Sequence, residues 1–190
     1  MEALLTRAIP SQLWSAAAAA GGLLWIIKAA TILSLDEQPA YTFEIAPFLF
    51  GVASIGVVLT WEGVQPGAGR HMRYLAGLAT IAGAVAAIAY ILQGDDGAFG
   101  LGAMVSLLAV LCVLLYTGRA IWRHRALGDW SAIPWALGWV IVAAIPLGGA
   151  MAEIDERLLE VPILAIGLGW IVLSASQIRV SGTFSTAETG

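Results

Sequence analysis

Six apolar stretches alternate with short polar connections along nearly the whole chain of 190 residues. They run Leu13–Ser34, Phe43–Trp61, Met72–Leu92, Phe99–Thr117, Ile133–Met151 and Leu158–Ser176. Each is close to the ~20 residues with which a helix crosses a bilayer. The pattern predicts an all-α, polytopic membrane bundle of six transmembrane helices. Residues 1–179 form one domain in this reading, and Val180–Gly190 form a polar, disordered tail.

Composition agrees: 59% of residues are hydrophobic and 12% charged, about half the charge of a soluble domain. The spans and loops leave no room for a separate soluble domain. The first span is longer than the apolar core of a cleaved signal, and no A-x-A-like site leads to a soluble mature chain. A net charge of −4 lacks the basic footprint of a nucleic-acid partner.

The charges split by side. Arg7, Arg70, Arg73, Arg119, Arg123, Arg125 and Arg179 fall on one side of the membrane if every stretch crosses. Asp36, Glu37, Glu44, Asp95, Asp96, Glu153, Asp155, Glu156 and Glu160 fall on the other, with Arg157 as the one basic exception. Basic residues are retained on the cytoplasmic face during insertion. Both termini are therefore expected in the cytoplasm, in a plasma membrane such as the bacterial inner membrane. Trp14, Trp61, Trp122, Trp130 and Trp135 fall near the same face, where an indole suits the headgroup layer. Gly118–Trp135 mixes basic and apolar residues, which predicts a surface-lying segment whose Arg119, Arg123 and Arg125 meet lipid headgroups.

Small residues at four-residue spacing let helices approach closely in lipid. Ala79, Gly83 and Ala87 in span three, Gly102 and Ser106 in span four, and Ala165 and Gly169 in span six follow that spacing. Span three, nearly all small, is expected to be the most buried helix. Pro146 removes a backbone donor inside span five, and Gly148 and Gly149 follow it. Both a flexible extracytoplasmic mouth and simple helix termination fit that sequence. Trp25 and Trp139 stand in similar contexts in spans one and five, and Glu44-Ile-Ala-Pro47 is echoed by Glu160-Val-Pro162. The echo points to tandem two-helix hairpins.

Lys28 is the one ionisable residue well inside a span. Its side chain leans toward the helix N-terminus and so into the membrane, where an unpaired ammonium costs several kcal/mol. Glu44 and Glu160 are its candidate partners for a ligand-binding or structural ion pair, set against plain snorkelling. Trp25, Trp139 and Trp170, near the middles of their spans, are candidate walls of a ligand pocket. Cys112, the single cysteine, reads as a small buried apolar side chain. His71 and His124 lie in loops, which disfavours a transmembrane haem, and the acid pairs read as solvated loops. No metal, cofactor or catalytic motif is expected.

Two functional readings follow. One is a ligand-binding or transport module with an extracytoplasmic-facing pocket for a small or lipophilic molecule. The other is a non-catalytic accessory subunit that packs on a membrane-protein partner or a second copy through its small-residue faces. A lipid-exposed stripe of Gly and Ala on span three would favour the second.

Overall fold

The computed structural model describes residues 11–35, 37 and 39–187, with side chains described up to Gln177. Arg7, Asp36 and the side chain of Arg179 lie outside the described residues, as do residues 188–190. Six long helices carry the chain: α1 (Ser11–Leu35), α2 (Ala46–Val64), α3 (Arg70–Gln93), α4 (Asp96–His124), α5 (Ile133–Ala152) and α6 (Glu160–Ala187). All six are long and apolar enough to cross a membrane. Short 3-10 turns at Gly128–Trp130 and Glu156–Leu159 lead into α5 and α6. The molecule is a multi-pass membrane protein built as a helical bundle.

Local chemistry sets the boundaries. Pro47 and Pro134 sit in the first turns of α2 and α5, where a missing N–H leaves no bond unmade. Asp95 caps α4 by accepting from the Ala98 amide at 2.9 Å. Gly94 ends α3 in the left-handed conformation, φ 65°, which costs glycine nothing. α6 stays helical to Ala187, past the tail expected from Val180. Gly182 alone is too weak a breaker there, and no proline follows it.

The helices close into a ring in which α1 packs on α2 and α6, α5 bridges α6 and α4, and α3 lies between α2 and α4; α2 also touches α4. α2 is therefore the central helix, with 56% of its most apolar stretch buried against 33% for α3. This corrects the expectation for span three. Ala76, Ala79, Gly83, Ala86 and Ala87 do turn inward, but Leu78, Ile81, Val85 and Ile88 face outward. A small-residue face brings a helix close on one side and does not enclose it.

Contacts along that face are tight. A Cβ on Gly83 would lie 2.6 Å from the Phe48 amide nitrogen, and one on Gly51 would lie 2.6 Å from the backbone of Thr80. The buried Ser106 hydroxyl joins the three helices, 2.8 Å from the Ala79 carbonyl and 3.0 Å from that of Pro47.

Gly118–Trp135 does not form a surface-lying segment. α4 runs on to His124 and stops where Arg125 turns left-handed, φ 51°. Trp14 and Trp61 are buried in the bundle, whereas Trp122 is exposed and stacks on Trp135 at 4.7 Å. Cys112 is exposed. A small apolar side chain is at ease on the lipid-facing surface of a membrane bundle as well as inside it.

Candidate functional site

α1 and α6 cross where Gly22 meets Gly167. A Cβ on either would come within 2.8 Å of the other's carbonyl oxygen, so only glycine lets the two backbones lie this close. Running antiparallel from that crossing, α1 carries Lys28 toward the acidic end of the bundle and α6 runs back to Glu160. The Lys28 ammonium donates to Glu160 Oε1 at 2.6 Å. Both residues are almost closed off, with exposures of 5% and 4%. Glu160 lies in the first turn of α6, where the helix dipole favours a carboxylate. The ammonium also lies 4.8 Å from the centroid of the Phe43 ring, a cation–π contact.

Glu44 takes a different position. It is equally buried, 4% exposed, but forms no ion pair with Lys28, and its Oε2 has no hydrogen-bond partner. Glu160 Oε2 and the indole N–H of Trp25 are also buried without partners. A buried polar atom left unpaired costs roughly 1–3 kcal/mol. Two acceptors and one donor therefore stand open in this end of the bundle.

Phe43 joins the pair to a row of rings. Tyr90, Phe99, Phe43, Trp25, Phe50 and Trp170 form a continuous chain, each ring centroid 4.5–5.8 Å from the next. Five helices and the α1–α2 connection contribute one ring each, so the row forms only in the folded bundle. Trp139 stands apart. It is 51% exposed and contacts Trp135, because its position on α5 turns outward whereas Trp25 and Trp170 turn in. Phe43, Phe50, Tyr90 and Phe99 are the members that sequence reasoning missed. Their one signal is the aromatic count near the acidic helix ends.

Beside this chain lies a cavity of about 490 Å³. α4 supplies Ala103 and Leu107, α6 supplies Ile163 and Ile166, and Trp25 and Phe43 form the inner wall. α5 closes the remaining side with Ile141, Ala144 and Gly148. Near the basic end α5 is fastened to α4, Gly118 against Trp135 and Gly138 against Leu115. Toward the acidic end the cavity separates them. α5 is also the least buried helix, at 17%. Met104, Leu108 and Ile145 at the rim are exposed. The opening therefore faces sideways, toward lipid. Gly148 belongs to this wall, and Pro146, inside the same stretch of α5, is exposed on the helix's outer side.

Arg119 and Arg123 lie far from this cavity, on the last turns of α4, and Arg125 caps the same helix. The structure thus joins Lys28, Glu160, Trp25 and Trp170, leaves Glu44 nearby but unpaired, and separates Trp139 and the three arginines from them. Fold and site together define a multi-pass membrane protein with a lateral apolar cavity beside a buried ion pair. Compared with known proteins, the chain matches no family model, no curated protein and no solved structure.

Proposed function

We propose that this protein binds a lipophilic molecule that enters sideways from the extracytoplasmic leaflet, as a binding or transport module. The observation that carries the reading is the cavity itself: about 490 Å³, apolar, ring-lined, and open between α4 and α5 at lipid-facing side chains. That volume is in the range of small-molecule sites. Apolar walls favour a hydrocarbon body over a solute drawn from water. The acidic-end half of α5 faces α4 across the cavity and contains Pro146, which removes a backbone hydrogen bond. This half is therefore the one that can yield to a ligand while the half fastened at Gly118 and Gly138 stays in place. The segregated arginines support an extracytoplasmic acidic end, and with it an extracytoplasmic cavity.

The accessory-subunit reading lacks its expected feature. The Gly and Ala face of α3 is turned inward, and large apolar side chains face lipid. The test is photolabelling in membranes with a diazirine-bearing long-chain alcohol. Labelling should concentrate on Ala103, Ile163 and Ile166 over the outward-facing Ile81, Val85 and Ile88. Ala144→Phe, which fills the cavity, should reduce that labelling about fivefold or more, the effect of losing ~1 kcal/mol of binding. Equal labelling of inward and outward residues would overturn the reading.

A further inference from the structure

The basic end holds a second concavity, of about 910 Å³, where the α2–α3 connection and the start of α3 face the last turns of α4. Its floor is apolar, made by Trp61, Leu75 and Leu115. Arg119, Arg123 and His124 form its rim, and the imidazole rests 5.0 Å from the Trp61 ring. Arg119 and Arg123 are one turn apart, so both guanidinium groups are delivered to the same side of α4.

No acid lines this groove. Glu62 is close in sequence to Trp61, but both its oxygens are engaged by the Arg73 side-chain nitrogen at 2.6 and 2.7 Å. Among the described residues neither Arg119 nor Arg123 has an acidic partner. Arg125 is set apart, in a small depression that also contains Asp129. Two uncompensated cations thus stand over an apolar trough in a chain whose net charge is −4.

The dimensions select the occupant. From Cys112 to Arg123 the α4 side of the groove extends about 16 Å at 1.5 Å per residue. One leaflet of hydrocarbon is about 15 Å, half the ~30 Å core. A molecule with an anionic head at the arginines and a chain along Leu115 toward Cys112 fills the groove from headgroup level to the bilayer middle. A soluble phosphate would use only the rim.

We propose that this groove is a binding site for one anionic phospholipid of the leaflet at the basic end of the bundle. The site is independent of the lateral cavity, since the two share no lining residue.

Native mass spectrometry of the delipidated full-length protein tests it, with phosphatidylglycerol and phosphatidylcholine of identical chains as probes. One phosphatidylglycerol should bind in preference to phosphatidylcholine. Arg119→Gln with Arg123→Gln should weaken it by roughly tenfold or more, since each basic side chain near an anionic surface contributes on the order of fivefold. Arg125→Gln should leave binding unchanged, and excess glycerol phosphate should not displace the lipid. Melting temperatures of both variants show whether they fold. Equal binding of the two lipids, no loss in the double variant, or an equal loss in Arg125→Gln would overturn the proposal. So would displacement by glycerol phosphate, which would assign the rim to a soluble phosphate.

Discussion

Lys28 is held by one carboxylate and one ring, in a place almost closed off by the bundle. Removing one partner of a buried pair strands the other charge, at a cost of about 3–5 kcal/mol. Lys28→Met and Glu160→Gln should each lower the melting temperature in detergent strongly, and the double variant should lose much less than the sum. Glu44→Gln makes the control, because Glu44 has no ion pair to lose. It should be neutral or stabilising, and it should not rescue Lys28→Met. Rescue by Glu44→Gln and not by Glu160→Gln would refute the pairing. The depth of Lys28 and the presence of two candidate acids were legible from the chain alone. The choice between the acids was not, because it depends on how α1 and α6 cross at Gly22 and Gly167. The same limit explains Trp139: its height along α5 is a property of the sequence, but its facing is set by which side of α5 meets α4 and α6.

Elements divide by how they meet their neighbours. Glycines at helix contacts act here as distance setters, and their neighbours decide the cost of filling them. A side chain on Gly83 would meet the backbone of Pro47 and Phe48, which cannot swing aside. Overpacking of this kind costs about 1–3 kcal/mol, so Gly83→Leu should destabilise the bundle in a detergent melting assay. Gly77→Ala on the same helix meets nothing within 4 Å and should be neutral or slightly stabilising. Equal effects at the two positions would remove the tight α2–α3 contact from the account. A second comparison concerns α1 and α6. Gly22→Val should separate them and lose the Lys28–Glu160 pair as well, so its effect should be sub-additive with Lys28→Met. Helix number and approximate ends follow from hydropathy, since each span must satisfy its own backbone in lipid. Burial rank does not, because in a bilayer the outward face is apolar too; that is why a helix as rich in alanine as α3 could be taken for the centre that α2 occupies.

At the scale of the whole molecule the two ends differ in charge and in what they enclose. The acidic end encloses a ring-lined cavity and a buried ion pair, and the basic end carries a groove with two arginines that have no acidic partner among the described residues. Their assignment to leaflets depends on orientation, for which the arginine distribution gives a definite expectation: acidic loops outside, basic loops in the cytoplasm. Cysteine labelling in intact cells checks it, starting from Cys112→Ser so that the exposed native thiol gives no signal. Glu37→Cys and Glu153→Cys are exposed at the acidic end and should react with a membrane-impermeant maleimide added from outside. Asp129→Cys, exposed at the basic end, should react only after permeabilisation. Reporter domains fused at Glu2 and Gly190 should report the same side, as an even number of crossings requires, and the arginine distribution makes that side the cytoplasm. The reverse labelling pattern would leave the bundle intact and exchange the leaflets. The lateral cavity would then draw its ligand from the cytoplasmic leaflet, and the arginine groove would face a surface poorer in anionic lipid, which would weaken both proposals through one measurement.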